Sequence, residues 1–131
     1  LKTKKYVNTL SCTTSIYSIL STPELIAPMK TLDIATYLSI LDTPTYFDMR
    51  LLPNNIKEKI NKKFDLLKQK FFFTSDQEEN INRNIDYLNK SIENKDKLLK
   101  NFKAFNNQVD SLNKTSFTKT YPELAEWYET I

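Results

Sequence analysis

Residues 6–41 read YVNTLSCTTSIYSILSTPELIAPMKTLDIATYLSIL, and this stretch decides the fold. Tyr6 to Thr14 alternates (Tyr6, Asn8, Leu10, Cys12) and carries β-branched residues, which predicts a strand. Thr22-Pro23-Glu24 then predicts a helix start, with Thr22 as cap, Pro23 at the first position and Glu24 on the positive end of the helix dipole. Leu25, Ile26, Met29 and Leu32 give that helix an apolar face, and Pro28 inside it should shorten or kink it. Ile34 to Leu41 is apolar at most positions, as expected of a strand covered on both faces. Strand, helix and strand with short links predict a βαβ unit in a parallel sheet. Two strands cannot complete such a sheet. Either further strands lie upstream of Leu1, or the strand reading fails.

From Pro53 onward the periodicity changes to that of helices. Ile56, Ile60, Phe64, Leu67 and Phe71 recur at spacings of three and four and share one face of a long helix. Ser75-x-x-Glu78 has the form of a capping box and opens a second helix striped by Ile81, Ile85, Leu88 and Ile92. Leu98, Phe102, Phe105, Val109 and Leu112 make a third stripe, and the polar stretch from Asn89 to Lys97 is the turn before it. Tyr121-Pro122-Glu123-Leu124 begins a short last helix bearing Trp127 and Tyr128. The expected class is α/β, mostly helical: residues 1–53 form a strand-helix-strand unit, and residues 54–131 a helical region packed on it.

Composition removes most familiar catalytic sites. The chain has 131 residues and contains no glycine and no histidine, where about nine glycines would be average. Without glycine there is no P-loop and no dinucleotide-binding turn, since both bring backbone against phosphate where a Cβ would clash. Without histidine the usual general base, the zincin pair and the Ser-His-Asp and Cys-His arrangements are absent. The single cysteine, Cys12, excludes an internal disulfide and fits a reducing compartment, so a cytoplasmic location is expected. No apolar run approaches the roughly 20 residues of a membrane span. The net charge of +3 is too small to point to nucleic acid, because lysines alternate with Asp and Glu. The chain opens on Leu1 rather than methionine, and a processed, tagged or truncated start is expected.

Four local patterns carry a resemblance. The first strand runs into Thr13-Thr14-Ser15-Ile16-Tyr17-Ser18-Ile19-Leu20; the second ends at Leu41 before Thr43-Pro44-Thr45-Tyr46-Phe47. Met49-Arg50-Leu51-Leu52-Pro53 then leads into the helix that starts Asn54-Asn55-Ile56, and Leu112-Asn113-Lys114-Thr115-Ser116-Phe117 precedes Tyr121-Pro122-Glu123-Leu124. In this order they resemble the C-terminal part of radical S-adenosylmethionine (radical-SAM) iron-sulfur enzymes with a reduced, twitch-type C-terminal region, found in phages and bacteria. The resemblance implies that residues 1–53 are the last unit of a partial (β/α) barrel whose remainder would be the chain's partner. Thr13, Thr14 and Ser15 after the first strand, and Leu41, Asp42 and Thr43 after the second, would then line the SAM or substrate cavity, since barrel chemistry sits at the C-terminal ends of strands. The parent would use S-adenosylmethionine and a [4Fe-4S] cluster. The family's Cys-x-x-x-Cys-x-x-Cys loop is absent here, so this chain binds neither metal nor cofactor by itself and contributes no catalytic residue.

Each remaining feature has a plainer reading. Cys12 is expected to be a small buried hydrophobe rather than a redox residue. Lys57, Lys59, Lys62, Lys63 and Lys70 are expected on a solvated helix face rather than as a phosphate stripe, because Glu58 and Asp65 interrupt them. Phe71-Phe72-Phe73 and Trp127-Tyr128 are expected in packing rather than in base stacking. Nothing in the sequence brings Asp42, Asp48 and Glu123 together as paired carboxylates. The hydroxyl run from Ser11 to Ser18 is read equally well as a site or as a strand end with capping side chains. The alternative to a radical-SAM fragment is a free-standing helical interaction module without catalysis.

Overall fold

The computed structural model describes residues 8–131; Tyr6 and Val7, which open the first predicted strand, lie outside them. The strand-helix-strand expectation holds in outline. Strand β1 covers Thr9–Thr14, helix α1 Thr22–Thr31 and strand β2 Ala35–Ile40, and the two strands pair in parallel from Thr9 opposite Ala35 to Thr14 opposite Ile40. Ser21 rather than Thr22 occupies the N-cap of α1, and the Thr22 hydroxyl donates back to the Ser18 carbonyl at 2.8 Å. Pro28 remains inside α1, which ends after ten residues.

A chain without glycine must use other residues where the backbone turns left-handed. Asp33, Asn94 and Lys114 take φ of 56°, 58° and 53° at the ends of helices or the start of one, a conformation costing L-residues about 1–2 kcal/mol. Asp and Asn tolerate it through their short polar side chains. Lys114 takes it directly after a long helix, where Thr115 N–H closes back onto the Asp110 carbonyl at 3.1 Å.

After a Thr43–Pro44 cis peptide, short 3-10 turns at Thr45–Phe47 and Met49–Leu51 lead into α2 (Asn54–Lys70), α3 (Ser75–Leu88), α4 (Lys95–Asn113), α5 (Phe117–Thr120) and α6 (Ala125–Glu129). The predicted α2 stripe is buried at Ile56, Ile60, Phe64 and Leu67. The capping box of α3 sits one residue earlier than its sequence form: Gln77 N–H donates to Thr74 Oγ1 at 3.3 Å, and Thr74 N–H donates to Gln77 Oε1 at 3.0 Å. The reason is backbone geometry, since Thr74 is extended at φ −65°, ψ 163° while Ser75 is already helical. The α4 stripe is buried only in its middle, at Phe102, and Leu112 is 75% exposed.

One hydrophobic core joins the two regions. Ile16, Ile19, Ile26, Leu38, Met49, Leu51 and Leu52 from residues before 53 pack with Ile60, Phe64, Leu88, Phe102 and Leu124 from residues after it. An aromatic cluster seals one end. Tyr17 lies 5.3 Å from Phe47 and 5.5 Å from Phe102, and Phe102 in turn stacks on Trp127 at 6.0 Å. Trp127 and Tyr128 are packing residues here, whereas Phe72 is 81% exposed.

Candidate functional site

Parallel pairing places the C-terminal ends of both strands side by side, so the six strand-end residues do come together. Thr13 faces Ser39 and Thr14 faces Ile40 across the ladder, and Leu41 N–H donates to the Thr14 carbonyl at 2.9 Å. Their side chains divide by role. Thr14 is fully buried; its Oγ1 donates to Asn84 Oδ1 on α3 at 2.7 Å, with the Ser39 carbonyl 3.2 Å away. Ser15 is buried, and its Oγ accepts from Tyr17 N–H at 3.2 Å. Ser18 Oγ accepts from Ser15 N–H at 3.0 Å and donates to the Thr13 carbonyl at 2.7 Å. Much of the hydroxyl run is therefore consumed in turning the chain out of β1. Thr13, Asp42 and Thr43 are exposed, and Leu41 is half-buried. The exposed three can hydrogen-bond a polar ligand, and the Thr43 hydroxyl donates to Asp42 Oδ1 at a long 3.4 Å in the open.

The two edges of the strand pair are unequal. Ala35 N–H donates to the Asn8 carbonyl and Leu41 N–H to the Thr14 carbonyl, so odd residues of β2 face β1 and even ones face away. At the outward Leu38, Asn80 of α3 replaces a further strand: its Oδ1 accepts from Leu38 N–H at 2.9 Å and its Nδ2 donates to the Leu38 carbonyl at 3.0 Å. The β2 edge is closed there. On β1 the same alternation turns Thr9, Ser11 and Thr13 outward, and among the described residues β1 pairs with no strand but β2. One face of the pair is also bare. Thr9, Ser11, Thr13, Tyr37 and Ser39 are all exposed on it, whereas Thr14 and Leu38 on the other face are buried.

Past the strand ends lies a charged cluster that periodicity could not reveal. Asp48, 1% exposed, accepts from Arg50 N–H at 2.9 Å, from Arg50 Nε at 3.1 Å and from Arg50 Nη2 at 2.9 Å. The Tyr87 hydroxyl donates to the same carboxylate, and the Arg50 guanidinium sits 4.4 Å from the Tyr87 ring centre. Burial, reinforced by Asp48, pushes the Tyr87 hydroxyl up to about 12. The only sequence sign is the Asp48-x-Arg50 spacing, which becomes meaningful once Met49–Leu51 is a 3-10 turn.

The other candidates resolve individually. Cys12 is half-buried, and burial raises its thiol, as expected of a structural cysteine rather than a thiolate. Among the described residues no group of three or more His, Cys, Asp or Glu could hold a metal ion, so they do not fit a [4Fe-4S] cluster. Glu123 pairs with Lys59 at 2.7 Å and Asp48 with Arg50, each carboxylate having its own cation rather than the other. The lysine stripe of α2 is not simply solvated. Lys63 donates to the Leu20 carbonyl at 3.1 Å and to Glu24 at 2.6 Å, and Lys57 is buried. Among the described residues no helix is long and apolar enough to cross a membrane. No family model matches this sequence, and no curated protein or solved structure matches it.

Proposed function

We propose that this chain is the C-terminal part of a radical-SAM-like iron-sulfur enzyme, forming one wall of the SAM and substrate cavity and inactive alone. The observation that carries the reading is the asymmetry of the strand pair. Parallel strands normally lie within larger sheets covered on both faces, and two strands alone are marginal. Here β2 is closed at Leu38 by Asn80, while among the described residues β1 pairs with no strand on its other side, which suits a last unit continued there. The bare face is rich in hydroxyls (Thr9, Ser11, Thr13, Tyr37, Ser39), which suits the lining of a polar cavity rather than an apolar partner. The cluster ligands belong to the proposed remainder, and no step of the chemistry is assigned to residues of this chain beyond hydrogen bonding from Thr13, Asp42 and Thr43.

A second reading, a free-standing helical interaction module, is favoured by the single core shared across residue 53. The full reading frame separates the two. An upstream in-frame Cys-x-x-x-Cys-x-x-Cys, with cluster assembly and 5′-deoxyadenosine release by the anaerobically produced protein, is the expected result. A nearby start codon without that motif sinks the enzyme reading. The 131-residue chain alone should then unfold in one cooperative transition as a monomer, instead of self-associating through β1.

A further inference from the structure

Four cations converge on one pocket away from the strand ends. A cavity of about 260 Å³ lies between the start of α2 and the turn joining α3 to α4, lined by Arg50, Asn54, Lys57, Lys90, Ser91 and Lys95 among others, with no carboxylate in its lining. Lys57 is the unusual member. It is only 8% exposed, where an ammonium is almost never found without a partner. Yet the ion pairs of the described residues involve Arg50, Lys59, Lys63 and Arg83, and the side-chain hydrogen bonds from lysines come from Lys30, Lys59, Lys63, Lys68 and Lys103. Lys57, Lys90 and Lys95 have none. Thr36 Oγ1 is the sole fully buried side-chain polar atom left unbonded among the described residues, so Lys57 Nζ keeps an opening to solvent, and Lys57 lines this pocket.

The surroundings do not neutralise it. Asp48 is the one nearby carboxylate acting on Lys57, and its charge is already matched by the bidentate Arg50. Burial first, then the positive charges of Lys95 and Arg50, holds the Lys57 ammonium below the ordinary lysine range. The start of α2 adds to the positive potential, since Pro53 gives it no side-chain cap and its first turn holds no carboxylate, whereas Asp96 in the first turn of α4 offsets that helix start. Cations held close together against their repulsion, one of them at the tip of a side chain nine-tenths buried, are what an anion would stabilise.

We propose that this pocket binds the phosphate group of a small molecule, with Lys57, Lys90 and Lys95 as its cationic ligands and Arg50, fixed by Asp48, at its wall. A phosphate dianion answers several compact ammonium charges at once, which a single carboxylate does not. The volume lies just below the roughly 300–1,000 Å³ of sites for whole drug-sized ligands, which suits a phosphate with a short carrier. The inference is independent of the radical-SAM reading and survives its failure.

The test is titration of the 131-residue chain with inorganic phosphate, pyrophosphate and a nucleoside monophosphate, each against sodium chloride at matched ionic strength, followed by calorimetry and by backbone amide shifts. Saturable binding of at least one phosphate probe, with shifts centred on Lys57 and Lys95, is expected. Phosphate binding alone identifies the free anion as the source, and tighter monophosphate binding identifies the ester. Lys57→Met and Lys95→Gln should each weaken binding about tenfold, the loss of one charge-assisted contact. Lys57→Met should fold at least as well as the parent, and Lys95→Gln alters an exposed residue, so loss of binding cannot be misread as unfolding. Shifts reproduced by chloride, binding unchanged in both variants, or binding of an oligonucleotide with none of the three small probes would each overturn the proposal.

Discussion

Asp48→Ala and Arg50→Met should destabilise the protein unequally, and the order follows from exposure. The Asp48 side chain is 2% exposed and the Arg50 side chain 24%. Removing Asp48 deprives three Arg50 donors and the Tyr87 hydroxyl of their acceptor, but the guanidinium can recover part of its hydration. Removing the Arg50 side chain leaves a carboxylate that cannot reach water and has lost its cation, held only by the residue-50 backbone N–H and the Tyr87 hydroxyl. Breaking a buried pair from one side costs about 3–5 kcal/mol. Asp48→Ala therefore belongs near the lower end, about 3 kcal/mol, and Arg50→Met near the upper, about 5 kcal/mol. The double variant should cost less than the sum by about 2 kcal/mol, because neither charge is left alone. Urea unfolding followed by far-ultraviolet circular dichroism gives the numbers. At m of about 1–3 kcal/mol/M for a chain this size, Asp48→Ala should lower the midpoint by about 1–3 M at unchanged m. If Arg50→Met proves milder than Asp48→Ala, or if the two costs simply add, the buried-pair argument is wrong.

Asn80→Ala should cost about 2 kcal/mol by leaving Leu38 N–H without a partner and the Leu38 carbonyl with only the longer bond from Asn84 Nδ2 at 3.4 Å. It should also promote concentration-dependent association by opening the second strand edge, read by light scattering. Loss of stability without association would mean that α3 covers that edge by bulk rather than through the amide. At alkaline pH, burial pushes both Tyr17 and Tyr87 up to about 12 from the ordinary value of 10. The folded state then holds protons that the unfolded chain has released, so their contribution is complete below pH 10 and is lost as pH rises toward 12. Lys57, with its folded value lowered, acts in the opposite sense below its unfolded value, so the effect is read most cleanly in Lys57→Met. Chemical unfolding across this range should show stability falling, and ultraviolet titration should find Tyr17 and Tyr87 ionising late, with Tyr128 also raised by its burial; a rise in stability above pH 10 contradicts the assignment.

Much of the architecture is legible in residue order because it rests on local periodicity. Ile56, Ile60, Phe64 and Leu67 can share a face only on a helix, and they are buried together on α2. The β1–α1–β2 unit follows from the alternation of Tyr6 to Thr14 before Thr22-Pro23-Glu24 and the apolar run Ile34 to Leu41 after it. Boundaries are less legible. Ser75-x-x-Glu78 and Thr74-x-x-Gln77 are both acceptable boxes one residue apart, and only the extended backbone at Thr74 selects between them. Leu112 satisfies the α4 period and is still exposed, because the elements packed against α4 reach only its middle.

The sequence by itself determined what the chain lacks and where its helices and strands run. Absent glycine and histidine, a single Cys12 and the switch from alternation to a three-and-four spacing near Pro53 are facts of composition and order. Tertiary structure alone decided which polar groups face one another. Asp48 meets Tyr87 across 39 positions, Asn80 meets Leu38 across 42, and Thr14 meets Asn84 across 70. It also decided that Lys57, one lysine of a charged helix, is buried in a pocket with Lys90 and Lys95 while Lys59 and Lys63 find carboxylates. The physical reason is that hydrophobic periodicity is a property of one element at a time. The pairing of a charge depends on which elements the shared core draws together.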